Sequence, residues 1–309
     1  MGIDLTEISQ KVLDNNTNAA NVFRRQYDLH FNPNPLDVEL PYIDENGNTI
    51  TTKIPNVASF RKRVWDDVGG ALGQFNRTFY VDQVNGDDNN DGSSSAPFKT
   101  LETAIGKVPI GGFGVIYVKG DILIQNCIYL TNKIIRIIGD NSNNIDFYST
   151  SDDNSNYLKG FFRLRNSIVA FHYITVKAPS KTNSDVGWSW ADALFKGIDG
   201  NAVSAVGFFG YLNNNPTLVV PADAPMVVWS AGVNIQGKVI FQASHNKIIV
   251  NRPVYNINWS AVGEFMSWGV IYEDDDGNSV SGDSLIAGIV RDADSGNPVN
   301  LISNINFSS

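Results

Sequence analysis

Residues 79–105, FYVDQVNGDDNNDGSSSAPFKTLETAI, set an opening strand, an acidic glycine-punctuated loop and a short amphipathic helix in one run. Phe79, Tyr80 and Val81 have the aromatic and β-branched character of a strand. Asn85-Gly86 and Asp91-Gly92 are dipeptides that tolerate positive φ, so two turns follow the strand at once. From Thr100, a natural N-cap, Leu101, Ala104 and Ile105 recur at helical spacing and give one small apolar face. That face must cover something.

What it covers is indicated downstream. From Val115 the chain becomes a series of short β-rich runs (VIYV, IYL, IIRII, FFRL, IVAFHYITV, TLVV, MVVW, VIF and IIV) separated by Asn, Asp, Gly and Ser. Runs such as 134–138 and 168–176 suit strands buried on one side. Stacked coils explain them economically, because each coil satisfies its backbone hydrogen bonds with the next and buries its inward residues only when a neighbour is present. The first coil would otherwise expose an aggregation-prone edge, which makes the helix at Leu101 a lid. The runs are unevenly spaced and yield no clean repeat length. A β-sandwich or jelly roll also contains many short strands with turns between them, although neither needs such a lid.

Tyr80-Val81-Asp82, Asn85-Gly86-Asp87, Asp91-Gly92 and Pro97-Phe98-Lys99-Thr100-Leu101 with Ala104-Ile105 resemble the opening of pectin-lyase-like parallel β-helix proteins. That superfamily includes bacteriophage tailspikes and fibres, polysaccharide lyases and hydrolases, and bacterial surface proteins. The resemblance implies a mainly β chain forming a right-handed single-stranded parallel β-helix, with a small N-terminal α/β attachment module.

The module is expected over residues 1–77. Leu5, Ile8, Val12, Ala19, Val22, Phe23 and Tyr27 keep a broken helical spacing, interrupted by Asn15, Asn16 and Asn18. Pro33 and Pro35 stop the helix, and residues 38–43 and 49–54 read as a hairpin around Asn46-Gly47. Val57, Phe60, Val64, Trp65 and Val68 then share one helical face ahead of Gly69-Gly70. This helix, hairpin and helix resemble the attachment modules of phage tail fibres and spikes. The β-helix is expected over 78–260 with its capping helix at 100–106, followed by C-terminal coils or a tip over 261–309.

The 309 residues are 42% hydrophobic and 18% charged, enough for a substantial core. A formal charge of −9, from 23 Lys+Arg against 32 Asp+Glu, argues against a sequence-independent grip on nucleic acid, which needs cations to displace phosphate counterions. The basic run Arg61-Lys62-Arg63 reads as a solvated helix face. Cys127 stands alone in an apolar run and reads as an inert buried thiol. The first ten residues, MGIDLTEISQ, lack a basic head before an apolar stretch, so neither a secretory signal nor membrane insertion is expected.

The acidic loop invites a metal reading. Asp87, Asn89, Asp91 and Gly92 occupy the first, third and fifth ligand positions and the turn glycine of a calcium loop, but Phe98 stands where its bidentate glutamate belongs. Asx capping of the loop's own amides is the simpler role, and no metal is expected. Glycoside hydrolysis needs two carboxyl groups at fixed separation. Asp152, Asp153, Asp185, Asp192, Asp199, Asp223 and Glu264 are candidates without an evident pair, and Arg163, Arg165 and Arg252 are weak candidates for a lyase base. His30, His172 and His245 have no metal-ligand spacing, and His172 sits in an apolar strand as a structural histidine would. Gly111-Gly112-Phe113-Gly114 lacks the strand and helix of a dinucleotide site, so no cofactor is expected.

Trp188 and Trp190 follow the polar stretch 180–185, with Trp229, Trp259 and Trp268 in similar surroundings. Aromatics so placed suit glycan contact, subunit contact and ordinary burial equally. The resemblance implies a bacteriophage tail fibre or tailspike: a homotrimer made in the host cytoplasm and carried on the virion, docked to the tail or another virion protein through residues 1–77, and meeting a host surface glycan. A polysaccharide depolymerase on the same fold and a non-viral surface or scaffold protein are the alternatives.

Overall fold

The computed structural model describes residues 37–43, 48–55, 76–189, 192–199, 202–210, 216–230, 237–257 and 262–305. The helices expected within 5–29 and 57–68, together with Trp190 and Trp259, lie outside the described residues. The chain divides into two compact units, Met1–Gln74 and Phe75–Ser309. In the first, strands Asp37–Ile43 and Thr49–Pro55 pair antiparallel with Val38 opposite Ile54.

The second unit is mainly β and is built from three parallel sheets. Sheet I has eight strands, in spatial order Asn76–Asp82, Phe113–Lys119, Ile134–Ile138, Ile168–His172, Val203–Phe209, Lys238–Ser244, Gly263–Trp268 and Leu301–Ser303. Sheet II has six: Ile122–Ile124, Asn144–Phe147, Thr175–Lys177, Leu218–Val220, Lys247–Val250 and Ile271–Glu273. Sheet III also has six: Cys127–Thr131, Phe161–Arg165, Ala193–Gly197, Met226–Ser230, Tyr255–Ile257 and Ile286–Ala287. After its first two strands, both in sheet I, the chain visits sheets I, II and III in rotation, and each strand lands beside its predecessor of one circuit earlier. Consecutive parallel strands of this kind are compatible with a β-helix. Every pairing inside the three sheets is parallel, which an antiparallel sandwich does not produce. Strands between Gly263 and Ser303 extend the same sheets.

The circuits differ in length. Ile116 pairs with Ile137, 21 positions on; Ile137 with Phe171, 34 on; Phe171 with Phe208, 37 on; and Phe241 with Phe265, 24 on. Strand register is constant while the corners vary, so inward residues still fall in line. Phe162 stacks on Phe195 with centroids 5.3 Å apart, Phe171 on Phe208 at 5.6 Å and Phe241 on Phe265 at 4.4 Å. These rings, with Ile135, Ile137, Val169, Val206, Val228 and Val239, form one continuous buried core. Among the described residues no helix is long and apolar enough to cross a membrane.

The opening motif closes the front of this core. Phe98 donates its amide to the Tyr80 carbonyl and accepts from the Asp82 amide, pinning the far end of the loop to the first strand. Asp82 Oδ1 accepts from the amides of Val84 and Asn85 at 3.1 and 2.9 Å, Asp87 Oδ1 from Asn89, and Asp91 Oδ1 from Ser93. The carboxylates thus cap the loop's own turns. Gly92 has φ of +77°, as its dipeptide predicts. Gly86 is required for another reason: a Cβ there would stand 2.3 Å from the Phe98 carbonyl oxygen. Thr100 caps helix Leu101–Lys107, its Oγ1 accepting from the Thr103 amide. Asp88 in turn accepts from the Lys99 and Thr100 amides and the Thr100 hydroxyl. Burial alone would raise the Asp88 carboxyl, but these bonds outweigh it and hold it low. Pro97 contributes its carbonyl to the Asp87 amide, and Leu101, Ala104 and Ile105 are fully covered in the core.

Candidate functional site

The most elaborate surface feature lies over sheet III, where the long excursion between Lys177 and Ala193 folds back. Its anchor is Asn156, which has no exposed surface. Asn156 Nδ2 donates to the carbonyls of Asn183 and Val186 at 2.8 and 2.9 Å. Its Oδ1 accepts from the Thr182 amide and hydroxyl and from the Asn183 amide at 2.9, 3.0 and 2.9 Å. Its backbone brackets Trp188 as well, accepting from Ser189 and donating to Gly187. One side chain from the preceding circuit therefore satisfies five polar groups of a surface loop that has no regular structure to do so.

The loop presents Trp188. The indole packs against the core and donates through Nε1 to the Asp223 carbonyl at 2.6 Å, and the Lys181 amide donates to Asp223 Oδ2. Between this loop and the outer face of sheet III is a groove of about 350 Å³, whose lining includes Lys181, Trp188, Asp192, Trp229, Arg252 and Asn256. It draws on three successive circuits. Arg252 donates through Nη1 to the Ala224 carbonyl, while its buried Nε has no hydrogen-bond partner. Asp192 is half-buried and accepts from the Leu158 amide at 3.0 Å. Burial pushes the Asp192 carboxyl up, against the opposing pull of that amide and of Lys196 and Lys159.

Trp229 belongs to a row that runs the length of sheet III. Tyr129, Arg163, Lys196, Trp229 and Asn256 are register partners on successive strands. Inward Phe162, Phe195 and Val228 alternate with them, so the row faces outward. The Arg163 guanidinium lies 5.8 Å from the Tyr129 ring centroid and 5.4 Å from that of Phe161, and Lys196 Nζ 5.3 Å from that of Trp229. Burial, then the neighbouring Arg163, push the Lys196 ammonium down, and Asp192 offsets part of this. Arg163 Nε is buried without a hydrogen-bond partner. Two adjacent cations between two aromatic rings, on successive strands, offer flat faces for apolar sugar faces and donors for hydroxyl and acidic groups.

Of the residues singled out from sequence, Trp188 stands in this groove, whereas Trp268 is on the outer face of sheet I, 50% exposed. Trp229 was legible only as an aromatic in polar surroundings, because MVVW reads as a core strand. Val227 and Val228 are both buried, so the run itself shows no alternation; only the structure separates the half-buried Trp229 from them and places it in the groove. Asn156 carried no sequence signal, since its partners lie 26 to 30 positions away. Cys127 is half-buried, not buried, because it lies on the outward side of its strand; burial still pushes its thiol up, which keeps it unreactive. His172 also faces outward, stacked on Phe209 with centroids 4.9 Å apart. Among the described residues no group of three or more His, Cys, Asp or Glu side chains is gathered as a metal site requires. No family model, curated protein or solved structure matches the chain.

Proposed function

We propose that the chain is a right-handed single-stranded parallel β-helix serving as the shaft of a bacteriophage tail fibre or tailspike, adhering to a host surface glycan through the groove at Trp188 and Trp229. Residues 1–77 would dock to the tail or another virion protein, and the chain would act as a homotrimer. The observation that carries the adhesive reading is the groove itself: two indoles, Lys181 and Arg252 gathered from three circuits of a rigid stack. A site on stacked sheets is held in place by every neighbouring circuit, which suits attachment under load. The cations of the groove and of the adjoining row favour a glycan bearing acidic groups over a neutral one.

Polysaccharide cleavage on the same fold is the second reading. It is favoured by Asp192, a half-buried carboxyl in the groove whose proton affinity is raised by burial, as a general acid requires. One experiment addresses both. Purified protein is incubated with lipopolysaccharide and capsular polysaccharide from a panel of bacteria, and retention is measured alongside new reducing ends or unsaturated sugars. Retention without cleavage, weakened on the order of tenfold by Trp188→Ala, is the expected result. Cleavage abolished by Asp192→Asn would replace adhesion with depolymerisation. Absence of both retention and cleavage on every surface polysaccharide would remove both.

A further inference from the structure

The three sheets have unlike outer faces. On sheet II the outward row Leu123, Asp146, Lys177, Val219, Ile249 and Glu273 mixes charge with apolar side chains, and Lys247 pairs with Glu273 beside it. Sheet III carries the cation and aromatic row. Sheet I is different. Between the strands Phe113–Lys119 and Lys238–Ser244, one outward row reads Phe113, Ile134, Ile168, Ala205 and Ile240. The next reads Val115, Arg136, Ala170, Gly207 and Gln242, and the third Tyr117, Ile138, His172, Phe209 and Ser244. Tyr80 extends the third row at one end and Trp268 at the other. Arg136 is the one permanently charged side chain in these rows.

We infer that this outer face of sheet I is where further copies of the same chain pack, side by side, to build the shaft. The inference rests on the oligomeric shaft proposed above for the number of copies, and on the face itself for where they meet. Ile134 is 45% exposed, Ile168 40% and Trp268 50%, and a cluster of large apolar side chains open to water marks a contact surface. The face is also smooth. A Cβ on Gly207 would stand 2.3 Å from the Phe209 ring, so that ring lies flat across the glycine and stacks on His172. Burial, with the Arg136 charge, pushes His172 down to about 4, so the imidazole is neutral near neutral pH.

Charge and area select a second copy as the occupant. A chain with a formal charge of −9 repels its own kind wherever acidic groups meet, and between the strands Phe113–Lys119 and Lys238–Ser244 these three rows contain no Asp or Glu; Glu264, which follows Ile240 on the next strand, is paired with Lys238. Strands about 4.8 Å apart and outward positions about 6.6 Å apart along each strand give the three rows a patch of roughly 500 Å². Two such patches remove roughly 1,000 Å² from water, the lower bound for a specific interface.

The test is the solution mass of the full chain by light scattering. The expected result is an integral multiple, above one, of 33.9 kDa, falling to the single-chain mass in the double variant Ile134→Glu with Ile168→Glu. Val219→Glu on sheet II is expected to leave the assembly intact. A single-chain mass for the unaltered protein, or a multimer that the double variant does not dissociate, overturns the inference. Should the double variant not fold, maleimide labelling read by peptide mass spectrometry replaces it. Ile134→Cys is expected to react several-fold more slowly than Val290→Cys, which is also well exposed in the single chain, and equal rates overturn the inference. Because none of these measurements involves a glycan, failure here leaves the adhesive groove standing, and failure of glycan retention leaves this face standing.

Discussion

Asn156→Ala tests how the groove is held. The substitution removes five side-chain hydrogen bonds, two donated to carbonyls and three accepted from Thr182 and Asn183. A typical bond contributes about 0.5–1.5 kcal/mol net, and an unsatisfied buried group costs about 1–3 kcal/mol. Water can reach part of a surface loop once it lifts, so the smaller figure applies to most of the five, and a loss of roughly 2–4 kcal/mol follows. That loss should fall on local opening of residues 180–190, not on the stacked sheets, whose contacts the side chain does not make. An increase of about 30- to 1,000-fold in the open population corresponds to that energy. Lys181 lies inside the loop, so cleavage by trypsin after it reports the opening directly, at protease concentrations where cleavage is slower than reclosing. Cleavage after Lys181 should accelerate by that factor while the urea midpoint of the β signal moves little. An unchanged rate would show that Asn156 does not hold the loop over the groove.

Leu101→Ala removes a fully buried side chain of the sealing helix and is expected to cost about 2–5 kcal/mol, seen as a lower urea midpoint and a rise in light scattering as the first circuit is uncovered. Tyr255→Phe deletes a hydroxyl that donates to the Val239 carbonyl at 2.9 Å and accepts from the Glu264 amide at 3.0 Å, and should lower stability by about 1–3 kcal/mol in the same assay. His172 sets a pH window: its folded value of about 4 lies below its ordinary 6.5, so the unfolded chain binds the proton first and stability falls as pH drops from 6.5 towards 4. Solvent screening of this half-buried ring reduces the effect to on the order of 1 kcal/mol, and His172→Gln should flatten that part of the pH profile of the melting temperature.

The architecture could be read where chemistry is local. Loop 82–92 caps itself with its own aspartates, so its turns and the helix after Thr100 follow from adjacent residues. The β-rich runs likewise marked their strands, because short β-branched and aromatic runs such as IIRII or FFRL, bounded by Asn, Asp, Gly and Ser, report a strand without knowledge of the neighbour. The repeat was hidden by its corners. Ile116 to Ile137 is the plain circuit, whereas Phe171 to Phe208 carries the Trp188 loop as added length, and no single period fits both. The groove was hardest to find. Trp188 announced itself beside a polar stretch, but Trp229, Arg252 and Asn156 meet it only because circuits stack, and stacking register is set by the core. The apolar face of sheet I was invisible for the same reason: Ile134, Ile168 and Phe209 look like core residues until the alternation of their strands turns them outward.

Most of the surplus of the uneven circuits leaves at one corner, between sheets II and III, and one further long segment, 288–300, leaves between sheets III and I. The antiparallel pair Ser149–Ser151 and Asn156–Leu158 leaves at the first of these corners, as do the Trp188 loop and the segment from Asp274 to Leu285. The rungs on either side keep their alignment whatever leaves between them. Segments of new length or sequence can therefore be exchanged at that first corner without re-solving the core, so the loops that leave there can change while the stacked sheets beneath them stay the same.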